Sequence, residues 1–231
     1  MDLSQKMKVN KNWDMADEHV LSILNGQVMY EEFKEKKMMG QSDYAPFNEA
    51  MCINDTTPKI FTKEFIETRA RGHLETTEDY INKVITPLNT LFNNHYPCMI
   101  LWFGKDMFCQ MNLLTLLAYL EQSNYKGRVF LHSFREDEFK VRQTELELGH
   151  YSRVYEDVLL NHSPASVKVL PVMYQAIDLY LMMLNDENPV TKYIKKNRNL
   201  STAELLTNLF ALFPTIGYGD LQYKKLIRKN K

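Results

Sequence analysis

Apolar positions along the chain switch repeatedly between a strand-like run and a helical spacing. "HVLSILNG", His19 to Gly26, is a short apolar run that closes on Asn-Gly, and it reads as a buried strand leaving a sheet through a tight turn. "QVMYEEFKEKKMMG" then places Val28, Met29, Phe33 and Lys37 at helical spacing and stops at Gly40, a residue suited to the left-handed position after a helix. "DYAPFNEAMCIND" predicts a short edge strand, because Pro46 has no N–H to give a central ladder. Two helices are expected next. Thr62 caps the first, Thr76 and Asp79 form a near capping box for the second, and Pro87 should kink or divide it. Their charged faces read as solvated surface.

"CMILWFG", Cys98 to Gly104, is continuous apolar sequence of strand length, and from Asp106 the spacing of Leu113, Leu114, Leu117 and Leu120 is helical. A turn at Lys126-Gly127 leads to a third apolar strand, Val129 to Leu131. Strands alternating with helices predict an α/β fold with a mostly parallel sheet. Beyond about Glu145 the strand signal fades and five segments read as helices, one opened by a capping box from Ser201 to Glu204. The expected organisation is a polar leader over 1–17, an α/β domain over 18–145, and a smaller helical C-terminal part over 146–231 with a basic tail.

The composition, 45% hydrophobic and 25% charged over 231 residues, is that of a globular chain and excludes a fibrous or disordered one. No run approaches the roughly 20 apolar residues that cross a bilayer, and the N-terminus has no apolar core of a signal peptide, so no membrane partner and a cytoplasmic location are expected. Three cysteines and six histidines show no metal-ligand spacing, which predicts reduced thiols and no metal site. The formal net charge of −1 conceals an asymmetry: residues 189–231 hold nine basic against two acidic side chains. That segment could meet nucleic acid, or dock on the acidic remainder of the chain.

Ligands of open α/β sheets bind beyond the carboxyl ends of the strands. The candidates there are Asn25 and Gly26 after the first strand, Trp102, Gly104, Lys105 and Asp106 around the end of the second, and His132 with Ser133, Arg135 and Glu136 after the third. Asp106 reads as a helix N-cap, a role that needs no ligand. Gln110 is less easily explained, since its amide shares the helix side of Leu113, Leu114 and Leu117 and needs partners if buried. Cys109 falls near the third helical position, where the helix dipole favours a thiolate and Asp106 opposes it. Glycine signatures of dinucleotide folds, P-loops and hydrolase elbows are missing. "TIGYGD", Thr215 to Asp220, resembles a potassium-channel filter, but a filter needs membrane-spanning helices around it. It reads as a turn between two helices, and hence as a candidate helix-turn-helix.

Taken together, "ILNGQVMYEEFKEKKMMGQSDYAPFNEAMCIND", "ILWFGKDMFCQMNLLTLLAYLEQ" and "LFPTIGYGDLQYKKLI" resemble a bacterial family filed as domain of unknown function 1835, over most of residues 19–228. Its most specific part is the block from Trp102 to Gln110, and the matching positions are Gly26, Glu49, Trp102, Gly104, Asp106 and Gln110. The family often has Gly-Asp after the first strand, where this chain has Gly26-Gln27. Members sometimes carry the label of AraC-type regulators, yet the paired helix-turn-helix region of that class is not recognisable here. The resemblance implies an α/β domain with a small helical C-terminal part, and it brings no activity or cofactor.

Three functions are therefore carried forward. The first is a regulatory protein that binds a small polar or phosphorylated ligand at the strand ends. The second is a hydrolase or transferase using Asp106 or Glu49 as general base or metal ligand. The third is a DNA-binding regulator acting through the basic C-terminal helices.

Overall fold

A computed structural model describes residues 19–36, 42–134 and 141–231. The expected leader over 1–17, Lys37, Gly40, Arg135 and Glu136 lie outside the described residues. Five strands form one sheet: β1 (Val20–Leu24), β2 (Asp43–Pro46), β3 (Cys98–Gly104), β4 (Arg128–Phe134) and β5 (Arg142–Leu146), in the order β2-β1-β3-β4-β5. The first four are parallel, and β5 runs antiparallel to β4. An α/β fold with helices concentrated toward the C-terminus is thus what the chain adopts. Pro46 ends β2, which is an edge strand as its proline requires.

Each central strand buries both faces, which is why they read as unbroken apolar runs. One face presents Leu21, Ile23, Met99, Leu101, Phe103, Val129 and Leu131 to the larger part of the core. The helix α5 (Met107–Gln122), which follows β3, lies against it and is apolar nearly all round. A helix of that kind must be covered on both sides, and α6 (Tyr151–Tyr155) with α7 (Pro171–Met183) supplies the outer cover. The opposite face, with Val20, Leu24, Ile100, Trp102 and Phe130, is covered by α1 (Gln27–Lys36) through Met29 and Phe33. Val28, although its spacing matched theirs, is 75% exposed, because α1 buries only Met29 and Phe33, about one residue per turn.

Between β2 and β3 run α2 (Lys63–His73), capped by Thr62, and α3 (Thr77–Tyr80), capped by Thr76. The second helix does change character ahead of Pro87. It passes through a π-helical turn, Ile81–Ile85, and a short 3-10 turn, Thr86–Leu88, before resuming as α4 (Asn89–Asn93). A proline ring that clashes with the preceding turn and offers no N–H is the physical reason. The C-terminal helices α8 (Pro189–Lys196), α9 (Thr202–Leu212, with the Ser201 to Glu204 capping box) and α10 (Asp220–Asn230) bury Val190, Ile194, Leu205, Leu209, Tyr223 and Ile227. These join the same hydrophobic cluster as the sheet face under α5.

The strand missed in the sequence is β5. Its residues "RQTEL" bury only Leu146, as an antiparallel strand at a solvated edge can, so no apolar run announces it. No helix among the described residues is long and apolar enough to cross a membrane.

Candidate functional site

In the order β2-β1-β3-β4 the chain leaves β1 toward one side of the sheet and β3 toward the other. The strand ends where this reversal occurs are the place where doubly wound sheets receive ligands. Asn25 and Gly26 stand on the β1 side of it; Gly104, Lys105 and Asp106 stand on the β3 side. Asn25, Gly26, Lys105, Asp106 and Cys109 are all half-buried. Gly26 has φ +98°, and a side-chain carbon added there would meet nothing within 4 Å, so the turn after β1 borders open space.

Asp106 is the N-cap of α5, its Oδ1 accepting from the Cys109 amide at 2.8 Å. The rest of the first turn is satisfied as well. The Gln110 amide donates to the Asp106 carbonyl, the Met107 amide to the Thr215 carbonyl at 2.9 Å, and the Phe108 amide to the Ile216 carbonyl at 3.1 Å. The "TIGYGD" segment is therefore a strap laid across the start of α5. Gly217 (φ +72°) presses on the capping carboxylate so closely that a Cβ there would fall 2.0 Å from Asp106 Oδ1. On the other side a Cβ at Gly104 would come within 2.7 Å of Asp106 Oδ2. Two glycines are thus required by one aspartate. The strap spans seven residues, 213–219, and is anchored by buried Ile216 and Tyr218. A helix-turn-helix needs a turn of about three or four residues, so α9 and α10 do not form one.

Three further side chains are fixed beside these strand ends. Asn25 Nδ2 donates to Cys109 Sγ at 2.9 Å, while its Oδ1 accepts from Asn112 Nδ2 at 2.9 Å. Asn112, wholly buried on α5, also donates to the Glu49 carbonyl and accepts from the Met51 amide, tying β1, α5 and the segment after β2 together. Gln110 is wholly buried, and its Nε2 donates to the Gly104 carbonyl at 2.7 Å while its Oε1 has no partner.

Glu49 belongs to a different arrangement. Its carboxylate is sealed inside the protein against Arg69, 0% exposed, whose Nε and Nη2 donate to it at 3.2 and 2.8 Å. His73 Nε2 lies 2.7 Å away and the Tyr80 hydroxyl donates to the second oxygen. Arg69 completes its shell with the carbonyls of Ala50, Ile53, Asn54 and Asp55. Burial alone would raise the Glu49 pKa, but the Arg69 charge and the hydrogen bonds from His73 and Arg69 prevail and hold it well below the usual carboxylate range. An anion so placed is neither a general base nor a ligand group, since no substrate proton can reach it. The general base or metal ligand expected at Glu49 is thus instead the buried counter-ion of Arg69. Arg69, His73 and Tyr80 were not found in the sequence, where the charged positions of α2 read as solvated. Their signal was the four-residue spacing of Phe65, Arg69 and His73, which puts both polar groups in line with a core aromatic.

Trp102 and His132 are corrections of place. Both lie within their strands on the α1 side rather than beyond the strand ends, with rings 4.3 Å apart, and Phe33 packs 4.8 Å from Trp102 on its other flank. Burial pushes the His132 pKa down to about 4, so the ring is neutral. Of the residues expected at the site, Asn25, Gly26, Gly104 and Asp106 converge, Gln110 supports them from beneath, and Glu49, Trp102 and His132 serve the core. Asn112 and Cys109 complete the cluster.

A shallow groove of about 500 Å³ lies elsewhere, at the start of α7, lined by Val167, Val169, Pro171 and Tyr174. Its lining, which also includes Lys168 and Gln175, is mostly apolar. No group of three or more His, Cys, Asp or Glu among the described residues is placed to hold a metal ion. Comparison of the chain with protein-family models, with curated proteins and with solved structures found no match in any of the three.

Proposed function

We propose that this chain is a regulatory binding protein that takes a small polar ligand in the crevice between the ends of β1 and β3. The observation that carries this reading is the half-buried Asp106 carboxylate, fixed between Gly104 and Gly217 at the point where the crossovers reverse. Such a group meets a ligand without having to be ordered first. Asn25 and Asn112 hold the walls, and the strap joins the crevice to α9 and α10, so occupancy can be felt by the C-terminal helices. The first turn of α5 has no amide to spare, which favours a polar ligand over one seated by a phosphate on that helix.

The test is thermal unfolding of the full chain against a panel of small polar compounds, in wild type and Asp106→Asn. Asparagine caps a helix as well as aspartate does, so the variant should fold. A compound at 100 times its dissociation constant stabilises by about 2.7 kcal/mol, and the shift should shrink in the variant. A panel without any shift would sink the reading.

A second reading has a specific basis. Lys192, Lys196, Lys225, Arg228 and Lys231 on or beside α8 and α10 are exposed, whereas Lys195, Lys224 and Lys229 are paired with Glu187, Asp220 and Asp186. Five such cations would grip phosphates without reading bases, giving a salt slope of magnitude below about 5 in a log-log plot of DNA binding. Absence of binding at low salt would end it.

A further inference from the structure

We infer that the outer side of α9 and α10 docks on an anionic lipid surface, with Leu221, Leu212 and Phe210 entering the boundary of the acyl chains while Lys225 and Arg228 meet the headgroup phosphates. This goes beyond the binding role proposed above and does not depend on it. α10 buries Tyr223, Ile227 and Asn230. Because a helix turns by about 100° per residue, the side opposite these three carries Leu221, Lys225 and Arg228, spaced i, i+4 and i+7, and all three are exposed. Leu221, 71% exposed, is thus flanked by two cations on the side of α10 that faces away from the core.

The apolar character continues onto the neighbouring helix end. Phe210, Leu212 and Pro214 are exposed, and the Phe210 ring packs 5.3 Å from that of Tyr223, which seats the end of α9 against the first turn of α10. Tyr193 of α8 reaches the same end, its ring 6.2 Å from that of Phe213. α8 exposes Lys192 and Lys196 opposite its buried Val190 and Ile194. Lys196, Lys225 and Arg228 have no carboxylate partner among the described residues, and Lys192 feels only the Glu187 charge, which Lys195 already answers. The two acids of residues 189–231, Glu204 and Asp220, are bonded to Ser201 and Lys224. The surface therefore presents net positive charge around exposed apolar groups.

That combination decides between partners. A nucleic-acid backbone would engage the cations but offer the apolar side chains nothing, since it presents phosphate and sugar. An anionic bilayer uses both, its headgroups holding the cations and its acyl boundary taking up the apolar side chains. Such a surface lies on a membrane and needs no spanning run, so the absence of one in the sequence excludes only a crossing. Each cation close to an anionic leaflet is worth about fivefold in partitioning.

The experiment is co-sedimentation of the full chain at low salt with vesicles of phosphatidylcholine alone and of phosphatidylcholine mixed with phosphatidylglycerol. Wild type is compared with Leu221→Ser and with the double variant Lys225→Gln, Arg228→Gln, and circular dichroism confirms folding, which exposed positions should leave intact. The expected result is binding to the anionic vesicles only, about 25-fold weaker in the double variant and at least about fivefold weaker in Leu221→Ser. Binding to neither vesicle would overturn the inference, and so would binding that Leu221→Ser leaves unchanged, which is electrostatic adsorption alone. A DNA duplex that displaces the vesicles and is held equally by wild type and Leu221→Ser would give the surface to nucleic acid instead. Self-association without vesicles that Leu221→Ser abolishes would give it to a second copy of the chain. None of these outcomes touches the reading of the β1 and β3 ends.

Discussion

Replacing Glu49 with glutamine is the sharpest trial of the reasoning about the buried ion pair. The substitution keeps the shape of the side chain and one acceptor oxygen. What it removes is the charge that answers Arg69, a guanidinium with no solvent exposure, and it turns an N–H₂ group toward donors that had faced a carboxylate. The carbonyls of Ala50, Ile53, Asn54 and Asp55 remain, so Arg69 keeps hydrogen bonds but no counter-ion apart from solvent it cannot reach. Breaking one partner of a buried pair costs about 3–5 kcal/mol. For a chain of this size each kcal/mol moves the melting temperature by roughly 2–4 °C, so a fall of about 10 °C is expected. Urea unfolding followed by far-ultraviolet circular dichroism gives the free energy directly. Acid adds an independent check. The folded-state pKa of Glu49 lies below its ordinary value of 4.5, so its contribution is complete above pH 4.5 and is lost as the pH falls from there; the variant should lack that part of the acid limb. Replacing Glu49 and Arg69 together by methionine should recover much of the loss. A Glu49→Gln variant within about 1 kcal/mol of wild type would refute the claim that the pair is desolvated and mutually dependent.

Three further outcomes are expected. His132 is neutral in the fold because burial lowers its pKa from 6.5 to about 4; the unfolded chain therefore takes up protons first, and stability should fall by about 3 kcal/mol between pH 6.5 and pH 4, a slope that His132→Phe should flatten above pH 4.5 in pH-resolved urea melts. Leu74 ends α2 at φ +60° while 87% exposed, so Leu74→Gly removes left-handed strain at no packing cost and should raise stability by about 1 kcal/mol in the same assay. Gly217→Ala combines φ +72° with a Cβ 2.0 Å from the Asp106 carboxylate, and should cost at least about 2 kcal/mol and quicken hydrogen exchange of the Met107 and Phe108 amides; protection equal to wild type would show that the strap does not depend on this glycine.

What was legible in the sequence was whatever local periodicity records. The runs ending at Leu24 and Gly104, and the stretch Val129 to Leu131 within β4, are strands because they are buried on both faces, and the caps at Thr62, Thr76, Asp106 and Ser201 form because short polar side chains there meet orphan amides. Pairings across distance left no such trace. Nothing local says that Glu49 will meet Arg69, or that Asn112 will join Asn25 to Glu49, since each bond is decided by packing of elements far apart in the chain. His132 misled because polar character near a strand end resembles a site, whereas strand register turned it inward. The glycines of "TIGYGD" were visible but their partner was not.

The strap also sets a rule for the order in which the chain can be finished. Helix α5 is the central element of the core, yet two of its first-turn amides receive their acceptors only from Thr215 and Ile216, more than a hundred residues downstream. During synthesis the sheet can pair as soon as β4 has emerged, but α5 stays frayed at its start until nearly the whole chain is available. A fragment stopped before residue 215 would carry an open helix end and an uncovered Asp106 at the crevice, and quality control acting on exposed, unfinished surface would find it there.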